Sequence, residues 1–339
     1  MSVGIDIGSK TIKIVELSRE GTGWKLRSAG IVGYTGGDAV DRLADETRIV
    51  ALSDAIRKLH KEARISSKEI SVALPETNVF TRVIKFPVLS DTEIASAVRW
   101  EAEQYIPIPV DEAVIQHQIL ERRETTTPPE MSVLLIAAPK KLVEKYVHLM
   151  ESAGLSVIFV ETELISLSRA LAPPDQTVLI ADLGARSTNM AIVKNGRLVV
   201  ARSIPTAGEA FTRALAQGLG LEKQQAEEYK KAYGLSVNQL EGKIKGILDP
   251  VFRMVSDEMK KAVHYYQSEE GGEPPRSVIL SGGTAAMPDA VGVLTKLLGI
   301  EVIIGNPFAR IAIDPESAKT IYSFAPLYSV ACGLAMRGD

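Results

Sequence analysis

Two short stretches about half the chain apart repeat one pattern: Gly4-Ile5-Asp6-Ile7-Gly8-Ser9-Lys10-Thr11 and Ile180-Ala181-Asp182-Leu183-Gly184-Ala185-Arg186-Ser187-Thr188. In each, an apolar strand ends in Asp-x-Gly and runs on into small hydroxyl residues. An aspartate at a strand end holds a hydrated cation well, and the glycine behind it lets backbone N–H groups approach phosphate oxygens. A single Asp-x-Gly-Ser is also ordinary turn chemistry. Two copies in matching strand context point instead to a duplicated α/β fold whose halves face each other across a ligand cleft.

With 339 residues the chain has room for two modest domains or one large bilobal unit. Its 45% hydrophobic and 24% charged residues exclude extended disorder and fibrous classes. Basic and acidic residues nearly balance, 39 against 42, which leaves no broad electrostatic footprint for nucleic acid or anionic lipid. The lone Cys332 lies in an apolar run, so a buried structural thiol in a reducing compartment is expected. No apolar run approaches the roughly 18 residues of a membrane span, and the first residues lack the basic start and apolar core of a signal peptide. The expectation is a cytoplasmic protein that meets a membrane only indirectly.

Strand Val3 to Ile7, alternation through Ile12 and Ile14, a Gly21-Thr22-Gly23 turn and strand Trp24 to Ala29 predict an opening meander. A helix carrying Leu52, Ile56 and Leu59 and a strand with Ile70, Val72 and Leu74 follow. From about Phe86 the texture changes. Ser90-Asp91-Thr92-Glu93 is a capping box opening a helix that stops before Pro107, then two strands, a helix from Pro139 and a strand closing at Val160 complete a small subdomain. Trp100 and Tyr105 on its first helix are either core residues or the wall of a peptide groove. The second half then repeats the meander, with Asn195-Gly196 as its hairpin turn.

Four features converge on phosphate chemistry. Gly8, Ser9, Lys10 and Thr11 form a hairpin tip with backbone and hydroxyl donors for β- and γ-phosphates, and Lys13 neutralises charge just beyond it. Gly184, Ser187 and Thr188 supply the opposing tip. Asp6 and Asp182 would then hold Mg²⁺ mostly through water, as suits an ion that gives up its hydration shell reluctantly. Gly282, Gly283 and Thr284 between a strand and a helix suit a flat base or an α-phosphate. Gly208, Glu227 and Lys230 lie in a helical pair; Glu227 and Lys230 are either a solvent-exposed ion pair or, in a nucleotide cleft, the ribose site.

In this order and spacing the motifs resemble the actin-like ATPase superfamily of actin, DnaK-type chaperones, sugar kinases and FtsA, over nearly the whole chain. The resemblance implies an α/β fold of duplicated ribonuclease H-like lobes with an FtsA-like inserted subdomain. The implied division is a first lobe over 1–85, 161–176 and 306–339, an insert over 86–160, a second-lobe core over 177–210 and 277–305, and a helical subdomain over 211–276. Within the insert, Phe86-Pro87-Val88-Leu89-Ser90 and Ala97-Val98-Arg99-Trp100-Glu101-Ala102-Glu103-Gln104-Tyr105-Ile106-Pro107 resemble the PilM family of type IV pilus assembly. The runs Val160 to Ala170 and Tyr328 to Gly338 are similar to that family too.

That resemblance implies a cytoplasmic scaffold that binds Mg-ATP between its lobes, at most a slow ATPase. It also implies docking of the cytoplasmic N-terminal tail of PilN between the first lobe and the insert, and through PilN a link to PilO and the inner-membrane platform. Motor ATPases and a second copy of the chain are further candidate partners; nucleic acid and direct membrane insertion are not expected. FtsA would continue into a C-terminal amphipathic helix, whereas this sequence ends at Asp339. Glu163 falls where the superfamily places a water-orienting residue, so Glu163 with Asp182 is the candidate catalytic pair; the plainer alternative for Glu163 is a helix cap or salt bridge. Leu164 stands where relatives often carry proline. The alternatives are an FtsA- or MreB-like filament former and a small-molecule kinase of the same superfamily.

Overall fold

Strand alternation and turn chemistry set the order of elements in the computed structural model, which describes residues 1–34, 40, 46–125, 127–238, 240–269 and 271–337. The opening meander is β1 (Ser2–Ile7), β2 (Thr11–Glu20) and β3 (Gly23–Gly33), followed by α1 (Glu46–Glu62) and β4 (Glu69–Leu74). Next come β5 (Phe80–Pro87), α2 (Asp91–Tyr105), β6 (Ala113–Arg123), β7 (Glu130–Pro139), α3 (Lys140–Ser152), β8 (Ser156–Thr162) and α4 (Glu163–Leu171). The repeat of the meander is β9 (Thr177–Leu183), β10 (Thr188–Lys194) and β11 (Arg197–Ile204). The chain continues through α5 (Gly208–Leu219), α6 (Lys223–Tyr233), α7 (Lys243–Glu269), β12 (Ser277–Ser281), α8 (Ala290–Leu298), β13 (Glu301–Ile304), β14 (Ile311–Ala312), α9 (Pro315–Ile321) and α10 (Ser329–Ala335).

Among the described residues these strands form three sheets, ordered β14-β3-β2-β1-β4-β8, β11-β10-β9-β12-β13 and β5-β7-β6. The two larger sheets are built alike: an antiparallel meander, then a parallel strand beside its first member, β4 on β1 and β12 on β9. The expected Asn195-Gly196 turn is present, with both residues at positive φ, 51° and 73°, the conformation that the twist of a two-residue hairpin needs.

The third sheet carries α2 and a core of its own, including Ile84, Phe86, Ile94, Val98, Ala102, Met131 and Val133. Its limits differ from the expected 86–160. Pairing already begins at Phe80, opposite Ala137. At the other end, α3 buries Leu142, Tyr146, Leu149 and Met150 in the core that holds Ile5, Ile56 and Val72, and β8 pairs in parallel with β4. Alternation marks a strand without naming its partner, and the Pro87 and Ser90 signals end β5 rather than begin the subdomain. The Ser90 capping box itself is present: Ser90 Oγ accepts from the Glu93 N–H, and the Glu93 carboxylate accepts the Ser90 N–H at 2.9 Å. Trp100 is 64% exposed, so it is no core residue; Tyr105 is half-buried with the Arg82 guanidinium 4.1 Å from its ring centre. Cys332 is buried within α10, where burial pushes its thiol well up and leaves it an apolar filler.

Candidate functional site

The two Asp-x-Gly hairpins have the same local geometry. Asp6 stands opposite Lys13 in β1 and β2, and Asp182 stands opposite Asn189 in β9 and β10. At each tip the glycine N–H turns back onto a carbonyl, Gly8 to Thr11 at 3.0 Å and Gly184 to Ser187 at 3.1 Å. The tips face each other across one cavity of about 460 Å³. Its walls hold Asp6, Gly8, Ser9, Lys10, Thr11, Lys13, Glu163, Asp182, Gly184, Ser187, Gly208, Glu227, Lys230, Gly282, Gly283 and Thr284. Thr188 is the exception among the expected residues. It is fully buried and donates its hydroxyl to the Thr206 carbonyl at 2.6 Å, because strand alternation turns it away from the cleft that Asn189 faces.

The small residues are there because backbone passes close by. A Cβ on Gly282, at φ 84°, would lie 2.6 Å from the Leu183 carbonyl oxygen, and one on Gly208 would lie 2.7 Å from Thr284 Oγ1. Lys230 is buried and donates to the Gly208 carbonyl at 3.0 Å and to Glu227 at 2.8 Å, so this is a cleft pair and not a solvent-exposed one. Burial pushes Glu227 up, but the Lys230 and Thr212 hydrogen bonds and the nearby lysine charges outweigh it and bring its carboxyl down to about 2. Lys10 reaches Glu227 from the first hairpin at 3.7 Å and ties the two sides of the cleft together.

The cleft floor concentrates acid. Lys13 donates to Asp6 at 2.9 Å in a buried pair, so Asp6 already has one cationic neighbour. Burial and the adjacent Asp6 push Asp182 up to about 6, against the opposing effects of Lys13 and Ser281. Glu163 is raised well above the usual carboxylate range, first by burial and then by Asp6 and Asp182. It is not the helix cap, a role filled by Thr162, whose hydroxyl accepts from the Ile165 N–H. Its Oε2 accepts from Asn189 Nδ2 at 2.8 Å and from the Glu76 N–H at 3.2 Å. Clustered carboxylates driven towards their neutral forms are a site short of positive charge, which fits a divalent cation. Among the described residues no group of three or more His, Cys, Asp or Glu side chains is placed to chelate a metal. Asp6 and Asp182 would hold a divalent ion such as Mg²⁺ mostly through its water.

Asn189 and Glu76 are the residues that sequence reading missed. Asn189 stands seven residues after Asp182 as Lys13 stands seven after Asp6, so the repeat itself carried the signal. Glu76 had none: its Oε2 accepts from the Leu164 N–H at 3.4 Å, a donor that a proline at that position would lack. Burial pushes Glu76 up to about 7. An acid raised in the folded state holds its stabilisation below its unfolded value and loses it as pH rises through the folded one. Wild-type protein is thus expected to lose about 3 kcal/mol more stability than Glu76→Gln between pH 4.5 and pH 7. Urea unfolding of both proteins at pH 5 and 8 checks this, and parallel pH profiles would count against it.

Edge strands β5 and β11 border a groove with cavities of about 450 and 320 Å³ that share Phe80, Thr81, Ala201 and Arg202. One wall is the insert edge with the Glu76–Val79 link from β4, and the other is the end of β11 and the residue after it, from Ala201 to Pro205.

The profile of a family described as type IV pilus assembly protein PilM matches residues 4–339. The chain belongs to the PilM family. A solved PilM-PilN type IV pilus biogenesis complex is similar at TM-score 0.86 and 27% identity, covering 99% of this chain and 98% of that one. MreB 5 of Spiroplasma citri bound to AMPPNP is similar at TM-score 0.58 and 14% identity, covering 98% and 94%. The FtsA proteins of Bacillus subtilis and Pseudomonas aeruginosa are 23% and 24% identical over 64% and 70% of this chain. This PilM-family chain spans 57% and 64% of those two FtsA proteins. The fold is the actin-like ATPase fold, as expected. No helix among the described residues of this PilM-family chain is long and apolar enough to cross a membrane.

Proposed function

We propose that the chain is a nucleotide-binding scaffold of type IV pilus assembly. It holds Mg-ATP in the two-hairpin cleft and docks the cytoplasmic N-terminal tail of PilN beside the insert, reaching PilO and the inner-membrane platform through it. The observation that carries this reading is the meeting of both hairpin tips, Gly282 to Thr284 and the Glu227–Lys230 pair in one cavity of a PilM-family chain. The Gly8 and Gly184 tips take the β- and γ-phosphates, with Asp6 and Asp182 on a hydrated Mg²⁺ between them. Glu227 and Lys230 take the ribose, and Gly282, Gly283 and Thr284 the adenosine end. The bound cation supplies the positive charge that the carboxylates lack, and Glu163 orients water in any slow hydrolysis.

For the tail, the β5–β11 groove offers two open sheet edges whose backbone groups suit an extended segment. Calorimetric titration of the full chain with ATP tests the nucleotide half. One saturable site is expected with Mg²⁺, weakened at least about tenfold by a chelator, roughly 1.4 kcal/mol. Heat indistinguishable from dilution would remove it. Growth of sedimenting polymers with nucleotide would favour the FtsA- or MreB-like filament reading instead.

A further inference from the structure

Two short hydrogen-bond paths leave Glu163 and end at the groove between β5 and β11. In one, the Glu76 N–H donates to Glu163 Oε2, and Glu76 Oε1 accepts from Thr81 Oγ1 at 3.2 Å. In the other, Asn189 Nδ2 donates to the same Oε2, and Asn189 Oδ1 accepts from Ser203 Oγ at 2.7 Å. The amide orientation follows from its neighbours: the Glu76 N–H can only donate, so Oε2 is an accepting oxygen and Asn189 turns its Nδ2 towards it. Glu163 lines the cleft; Thr81 on β5 and Ser203 on β11 line opposite walls of the groove. Glu76 and Asn189 are themselves buried, at 5% and 2% exposure, so water is poorly placed to replace a partner that either loses.

We propose that Glu76 and Asn189 are positioning residues that couple the two sites: Mg-nucleotide in the cleft resets Glu163, and the two paths carry that change to Thr81 and Ser203 in the groove. The inference rests on the cleft being a Mg-nucleotide site. Both donors converge on one carboxylate oxygen. If Glu163 turns toward a bound phosphate or its water, Asn189 and the Glu76 N–H must both find new partners, and each is tied through its other end to a groove strand. Glu163 therefore needs two settings, the one bonded to these donors and one turned to the nucleotide. Coupling is reciprocal, so an extended peptide in the groove changes nucleotide affinity by the same factor as nucleotide changes its own.

Hydrogen exchange of the full chain, with and without saturating Mg-ATP, reads the coupling without needing a partner; nucleotide binding is measured by calorimetry in the same buffer. In wild type, exchange at Ala201 to Ile204 and Val79 to Val83 is expected to change roughly tenfold, within the usual range for coupled sites. In Thr81→Val with Ser203→Ala, which cuts both paths at the groove while keeping side-chain shape, the change falls below about twofold. Thr81→Ser with Ser203→Thr, which keeps both hydroxyls, restores it; a purely structural role for these positions would not follow the hydroxyl. Coupling is overturned if wild type binds Mg-ATP and the groove does not respond, or if the response persists without the hydroxyls. If wild type binds no Mg-ATP, the cleft reading fails first and the coupling with it.

Discussion

Asp182→Ala and Asp6→Ala are each expected to abolish measurable retention of Mg-nucleotide, a loss of at least about a hundredfold, or ~2.7 kcal/mol. The two should differ in what else they do. Asp182 has its carboxyl raised first by burial and then by Asp6, so its removal ends a desolvation cost and a repulsion and leaves the apo fold as stable or slightly more so. Asp6 accepts from Lys13, a side chain only 9% exposed, and its removal strands a buried ammonium. Breaking such a pair from one side costs about 3 kcal/mol or more. Nucleotide titration together with urea unfolding separates the effects: Asp182→Ala loses binding alone, and Asp6→Ala loses binding and stability. Unchanged ATP binding in both variants would show that the cleft lies elsewhere.

Gly333→Ala is expected to be among the most destabilising single-methyl additions in the chain. Helix α10 packs against α4 and β1 so closely that a Cβ on Gly333 would lie 2.0 Å from the Ser166 carbonyl oxygen. A Cβ on Gly4 in β1 would lie 2.2 Å from the Ala331 carbonyl oxygen. Both obstacles are backbone, which has no rotamer to retreat into. The contact is pinned further by Ser166 Oγ donating to the Val330 carbonyl at 2.7 Å and Arg169 donating to the Gly333 carbonyl at 2.6 Å. Arg169 is itself held by a bidentate bond to Glu161. Overpacking here exceeds the usual range and is expected to cost more than about 3 kcal/mol. Gly292→Ala in α8, with nothing within 4 Å of its Cβ, is the control and gains up to about 1 kcal/mol from helix propensity. Equal unfolding midpoints for the two variants would refute the close-packing account.

The cleft was legible in the sequence where chemistry is local. An Asp-x-Gly strand end, a glycine at φ 84° in Gly282 and an i,i+3 pair in Glu227 and Lys230 each write their geometry within a few residues. Thr188 lies off the cleft because the strand period that puts Asn189 on the cleft face turns its neighbour away. The limits of the insert were hidden because β5 and β8 carry similar patterns, and only pairing tells which sheet each joins. Glu76 was hidden for a deeper reason: its partners Glu163 and Leu164 come from a distant part of the chain, and no local pattern marks a carboxylate whose role is set by tertiary contact.

The scaffold account is tested most directly by calorimetric titration of a synthetic peptide covering the cytoplasmic N-terminal tail of PilN from the same genome into the full chain, with and without Mg-ATP. The account predicts saturable one-to-one binding, with an affinity that differs between the two conditions. No measurable binding under either condition would contradict it.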